Sequence, residues 1–475
     1  MVMANGDQVE SLRRRMKEVH CNRWRQEPCS IYRVPFKLRW SHVDAYDPSL
    51  IYRGPYDPFY VSIGPYHRGK PQLQPMEEFK LRALQHLLSR NPTITLERCL
   101  EEMKGLELRA RSCYSEVIDM SGEEFVEMML LDGCFTVFVL TCELNDLVWM
   151  PGEGLHETGH NVDGGGIAPR VSLLDDVMYD LLLLENQIPF FVLKALFNLL
   201  ITGFHNENIS LEHLAIEHFP AIYPGIRDSN PSVTGDKVQH LLHLLYLSII
   251  PVIEPRKPVA SSKKFHRSDL LPIFSQERAS SSKGQDKVKP QEWIPTITQM
   301  KEAGVMFKVK NSTSFLDVSF RNGVMEIPTL VLNDTTKSVL PNLIAYDQCY
   351  RYTKFHVTYY TIFMDCLVNT PADVSILLDE AIIMNNLSSE NEAAQFINQL
   401  SIEVRCDWKN SYLLDLFSEV NRFCGLRRNK WRAKLVHNYF SCPWAILSLM
   451  AAIVLLILTL LQTFFGIDSY YHPLS

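Results

Sequence analysis

Apolar positions recur at helical spacing along most of this chain. After Pro75, a residue suited to a first helical turn, Phe79, Ala83, Leu84, Leu87 and Leu88 form one stripe. Glu78 and Arg82 make an i,i+4 ion pair on its opposite side. Glu124 to Leu140 is apolar nearly all round, which predicts a central buried helix. Leu173 to Gln187 reads as a further helical run, stopped by Ile188-Pro189, and Phe190–Phe204 and His240–Ile250 read as two more. Thr370-Pro371 opens a helix carrying Val374, Leu377, Leu378, Ala381 and Ile382 on one face. Ser389 and Glu392 form a capping box ahead of Ala393, Phe396, Ile397 and Leu400.

The period changes to two at Leu316, Val318 and Phe320, followed by Asn322-Gly323, the strongest short hairpin signal. The return strand, 324–332, contains Pro328, which places it at a sheet edge. Residues 45–69 are dense in Tyr, Pro and Gly and read as short extended pieces and turns. Residues 151–169 form a Gly-rich loop. Ser, Lys, Pro and Gln dominate 254–292, a flexible insertion unable to bury enough apolar surface to fold alone. The sum is a mainly α chain. We expect a basic arm at 1–28, one large helical domain at 29–440 with a small β-hairpin element, and one C-terminal transmembrane helix at 443–467 with a short tail.

That last element rests on 22 uncharged residues from Trp444 to Phe465. As a helix they would span about 33 Å, enough for a bilayer core, with Trp444 and Phe464-Phe465 as interfacial aromatics. Arg422, Arg427, Arg428, Lys430, Arg432 and Lys434 precede it without an acid. By the positive-inside rule the body is cytoplasmic, on a plasma membrane or endomembrane, and the basic residues face anionic lipid head groups. The sequons at Asn208, Asn311, Asn333 and Asn386 are then expected to stay unglycosylated.

Composition alone hides this organisation. The 475 residues carry a net charge of -7, which argues against a chain that coats nucleic acid. Residues 11–39 hold nine Lys/Arg against two acids and 422–437 hold six basic residues, leaving about -20 for the rest. The eleven cysteines form no C-x-x-C pair, so neither a zinc module nor a disulfide framework is expected; Cys134 and Cys142 read as small buried hydrophobes.

Several segments resemble the plant family called domain of unknown function 247. They are Cys29–Pro35 (CSIYRVP), Ala45–Pro48 (AYDP), Val61–Gly69 (VSIGPYHRG), Glu123–Phe135, Asp180–Leu193 (DLLLLENQIPFFVL), His240–Pro251 and the apolar C-terminus. The resemblance implies a land-plant membrane protein of generally unknown biochemical activity. Some grass members are implicated in self-incompatibility as pollen-side determinants, a role the shared motifs do not transfer. Within them Gly64, Pro65, Tyr66, His67, Asp132, Gly133, Glu185, Asn186, Gln187 and Pro189 are the residues to locate in the fold.

Their chemistry has two readings. His67-Arg68 could bind an anion or supply a general base, but a packed turn explains it equally simply. His240 and His243 stand three apart, as some metal ligands do, yet no HExxH accompanies them, and we read them as core or interface histidines. Asp132 lies within one apolar helix and Glu185-Asn186-Gln187 ends another. Buried carboxylates there could act as acid and base, or could cap helix ends and stitch helices together. No catalytic, metal or cofactor motif is assigned. The expectation is a non-enzymatic, tail-anchored protein whose body binds an unidentified protein partner. The alternatives are a self-incompatibility factor, and a hydrolase or transferase using Asp132, Glu185 or His67.

Overall fold

A computed structural model describes residues 9–10, 13, 29–41, 54–141, 177–201, 210–219, 237–250, 293–426, 429, 431 and 443–471. Most of the basic arm, the Gly-rich loop at 151–169 and the insertion at 254–292 lie outside the described residues.

In chain order the helices are α1 (Phe36–Ser41), α2 (Pro75–Arg90), α3 (Leu96–Ser112), α4 (Gly122–Thr141), α5 (Phe190–Leu200), α6 (Leu211–Glu217), α7 (Leu241–Ile249) and α8 (Ile297–Ala303). After the strands begin come α9 (Asp334–Cys349), α10 (His356–Leu367), α11 (Pro371–Asp379), α12 (Glu390–Leu400), α13 (Leu414–Gly425) and α14 (Pro443–Tyr471). The strands are β1 (Met306–Val309), β2 (Ser319–Arg321), β3 (Val324–Ile327), β4 (Leu330–Leu332) and β5 (Ile383–Asn385). The fold is mainly helical, as the periodicity implied, and carries two small sheets where one hairpin element was expected.

α4 is the axis of the N-terminal half. Every residue from Phe125 to Thr141 except Glu127 is buried, and α2, α3, α5 and α6 pack around it. Each large apolar side chain so enclosed contributes about 1.5–3 kcal/mol. Gly133 lets α5 approach: a Cβ there would lie 2.4 Å from Leu196 Cδ1. In the C-terminal half α9, α10, α11 and α12 pack on one another, and α8 lies against α11. A single apolar core runs from Ile31 to Val420 through both halves.

The hairpin forms where expected. β2 and β3 are antiparallel, and Asn322 and Gly323 both take positive φ (53° and 83°), the conformation a two-residue turn requires. The edge assignment does not hold. β3 is the central strand, paired in parallel with β1 on its other side, and it stops at Ile327. Pro328 has no N–H to continue the ladder, so the chain leaves and starts β4, which pairs in parallel with β5 in a second sheet.

Other differences are local. Only 177–180 of the expected 173–187 helix is helical in the described residues, and 181–189 is a series of turns. The helix opening at Thr370-Pro371 ends at Asp379, because Ala381 turns left-handed (φ 55°) to enter β5. Ser389 caps α12 by accepting from the Glu392 N–H at 3.1 Å, but the Glu392 carboxylate turns to Ser388 and Lys337 instead of closing the box. No disulfide occurs among the described residues, and Cys134 is buried as expected.

The expected membrane segment lies in α14, a continuous helix of 29 residues. The apolar stretch of it with described side chains is Met450–Phe464, and among the described residues no single helix is long and apolar enough to cross a membrane.

Candidate functional site

The residues singled out in the sequence converge on an extended segment, 59–64, that belongs to no strand. Its backbone polar groups must still be satisfied once buried. Side chains from elsewhere do this. The Asp180 carboxylate accepts from Phe59 N (2.8 Å), Tyr60 N (2.6 Å) and Val61 N (2.9 Å). Asn186 lies edge to edge with the chain: its Oδ1 accepts from Ile63 N at 2.7 Å and its Nδ2 donates to Val61 O at 3.0 Å. Asp132 accepts from Gly64 N at 2.8 Å, and the Lys80 ammonium donates to Ser62 O at 2.6 Å.

The turns of 181–189 suit this task better than a helix. They free Asn186 and Gln187 to bind backbone, Gln187 Nε2 donating to Leu181 O (2.6 Å) and Leu183 O (2.8 Å) while its Oε1 accepts from Leu242 N. Pro189 then leads in extended conformation into α5. Gly64, at φ 75°, passes so close to this loop that a Cβ would sit 2.4 Å from Gln187 O. Pro65 and Tyr66 continue the turn, and the Tyr66 ring meets Tyr114 edge-on, whose hydroxyl donates to Gln187 O.

Two charge clusters flank the segment. In one, Lys80 is fully buried with its ammonium 2.6 Å from both Asp132 Oδ1 and Glu77 Oε1. Burial raises the Asp132 pKa above its ordinary value, outweighing the opposite pull of Lys80 and the Gly64 N–H. In the other, buried Glu185 accepts from Val34 N (2.8 Å), Arg39 Nη2 (2.8 Å) and Arg33 Nη1 (3.3 Å). Arg39 also holds Asp57 (2.9 Å), which Lys70 meets at 3.0 Å. Against an upward pull from burial, the Lys70 hydrogen bond and Arg39 hold the Asp57 carboxyl below its usual range.

His67 is buried between these acids, Nε2 3.6 Å from Glu185 Oε2 and Nδ1 3.9 Å from Asp57 Oδ1. Neither ring nitrogen has a hydrogen-bond partner among the described residues. Burial, then Lys70, push its pKa down to about 3. His67 and Glu185 therefore meet, whereas Asp132 belongs to the other cluster. None of the three lines the cavity of about 460 Å³ between Glu102, Phe191, Lys194 and Asn198 on α3 and α5.

His240 and His243 are core residues. His240 caps α7, its Nδ1 accepting from His243 N (3.2 Å) while Nε2 meets Ser30 O (3.0 Å). His243 Nδ1 accepts from Gln239 N at 3.1 Å, and both rings pack on Tyr346. Among the described residues no group of three His, Cys, Asp or Glu is placed to hold a metal.

Sequence reading missed Asp180, Lys80, Arg33, Arg39 and Asp57. Lys80 had a signal: it occupies the apolar stripe between Met76 and Leu84, where an ammonium requires a buried acid. Asp180 had none, since the donors it accepts from are backbone N–H groups some 120 positions away.

The family described as plant protein of unknown function, DUF247, matches residues 53–458. UPF0481 protein At3g47200 of Arabidopsis thaliana is 28% identical over 94% of this chain and 88% of its own length. Putative UPF0481 protein At3g02645 of the same plant is 25% identical over 92% and 89%. No solved structure matches. Spanning nearly the whole described body, with the stapled 59–64 segment inside it, the match establishes that the chain belongs to this family of plant proteins of unknown function.

Proposed function

We propose that this is a tail-anchored membrane protein whose helical body recognises another protein and carries out no chemistry of its own. One observation carries the anchoring. Along Met450–Phe464 the apolar side chains, among them Leu455, Leu456, Leu458, Leu460 and Phe464, are exposed on all sides of α14. A continuous apolar cylinder of that kind marks a surface that something apolar covers, and a bilayer fits its uncharged length from Trp444 to Phe465.

The recognition reading is supported by the fate of the candidate catalytic groups. Of the three groups, Asp132 and Glu185 are engaged in holding backbone and cations, and His67 is buried between Glu185 and Asp57. The hydrolase and self-incompatibility alternatives have no described residue that favours them over this one.

Alkaline extraction and flotation test the anchor. The full chain should stay with the membrane at high pH, and a chain ending at Cys442 should be released. Extraction of the full chain would sink the proposal. Proximity labelling from the N-terminus in plant tissue tests the partner: cytosolic-face proteins are expected, and labelling of lumenal proteins would reverse the orientation.

A further inference from the structure

We propose that the end of the body formed by Trp293, Arg422, Leu426 and Trp431 lies on the anionic leaflet of the membrane that α14 enters. This rests on the anchored reading and adds a second, separable contact. The helix α13 buries Leu416, Phe417 and Val420 and leaves its other side to solvent. At its C-terminal end the Asn421 amide donates to Trp293 O at 2.9 Å, and Asn429 donates back to Phe423 O at 2.8 Å. Trp293 and Trp431 are thereby tied to the same end of one helix, 59% and 77% exposed, with Leu426 at 40%.

Exposure of tryptophan is the telling feature. Trp408 packs on Tyr359 and Phe417, as a large aromatic normally does. An indole left at the surface with basic neighbours is suited to the bilayer interface, where its ring meets acyl chains and its N–H meets head groups. Arg422, in the last turn of α13, is exposed and lies 3.8 Å from Glu419. The sequence from Leu426 to Pro443 adds Arg427, Arg428, Lys430, Arg432 and Lys434 without an acid. Charge therefore selects an anionic surface over a neutral one.

Chain continuity supplies the remaining argument. Trp431 precedes Pro443 by twelve residues, and so short a connection reaches at most about 40 Å. The patch is held near the bilayer whatever else the body does, so even weak contacts gain from high local concentration.

The test uses the full chain reconstituted into phosphatidylcholine vesicles, with or without phosphatidylserine, doped with a lipid brominated near the head group. Tryptophan quenching should rise with phosphatidylserine. The rise should disappear in Trp293→Phe/Trp431→Phe and persist in Trp408→Phe. Arg422→Gln should lower the ratio of docked to undocked protein about fivefold. Equal quenching in both lipids, or a rise that survives the double substitution, would overturn the docking while leaving the anchor intact. Emission changes that follow protein density and ignore phosphatidylserine would assign the patch to a second copy instead. If the chain floats with neither vesicle, anchor and docking fall together.

Discussion

The Lys80 ammonium lies 2.6 Å from the Asp132 carboxylate, and neither side chain reaches solvent. Lys80 also holds Ser62 O while Asp132 holds Gly64 N, so the ion pair and the 59–64 segment are one unit. Asp132→Asn should therefore destabilise the protein by about 1.5–3 kcal/mol, because the buried cation keeps Glu77 but loses its other charged partner. The double variant Lys80→Met/Asp132→Leu should recover much of that loss. Urea titration of the three proteins decides it. A double variant no more stable than Asp132→Asn would show that the pair is not what the segment depends on.

Glu185→Gln keeps an acceptor for Val34 N but removes the charge shared by Arg33 and Arg39. A loss of about 1.5–3 kcal/mol is expected for hydrogen bonds to a charged group. Hydrogen exchange should locate it: amides of 30–41 should exchange faster while those of α4 keep their protection.

Gly64→Ala and Gly133→Ala separate two reasons for glycine. At Gly64 the added Cβ meets backbone at 2.4 Å and φ is 75°; at Gly133 it meets the flexible end of Leu196. The first should cost about 3 kcal/mol or more and the second clearly less, since a leucine rotamer can shift. Thermal unfolding of the two variants side by side is sufficient. The reverse order would contradict the close approach at Gln187.

Acid should weaken the core through His240 and His243. Each ring accepts a backbone N–H through Nδ1, so protonation abolishes a hydrogen bond as well as charging a buried ring. Burial, and for His240 its neighbour His243, lower their pKa values to about 3 and about 4. The unfolded chain binds these protons near pH 6.5, the folded one only below pH 4. Their contribution is thus complete above pH 6.5 and is lost as pH falls from there toward 3. Each group contributes a slope of up to about 1.4 kcal/mol per pH unit in that window. Urea midpoints between pH 7 and 4.5 should fall accordingly, and His240→Asn should flatten the dependence.

What could be read from the sequence was what is repeated locally. α2, α4, α5, α7 and α12 follow from apolar stripes, and the Asn322-Gly323 turn from two residues that tolerate positive φ. α3 escaped because Leu96–Ser112 is rich in charge and buries only Cys99, Met103 and Ala110. The 181–187 error has a different cause. DLLLLENQ has the composition of a buried helix, but Asn186 and Gln187 hold it in turns by binding both the loop's own carbonyls and the distant backbone of Val61 and Ile63. Of the site, Asp132, Glu185, Asn186 and Gln187 were identified as stitching candidates, but the stitched object, 59–64, carries no periodic signal.

That object has a bearing on the order of folding. A strand in a hairpin finds its hydrogen bonds a few residues away, and can form early. Residues 59–64 find theirs at Asp132, Asp180 and Asn186, across as many as 125 positions. They can settle only after α4 and the 177–189 loop stand in place, so this stretch should be among the last to acquire protection during refolding. Nascent chains paused on the ribosome before Gln187 would hold it open, a window in which a chaperone has a defined extended site to occupy.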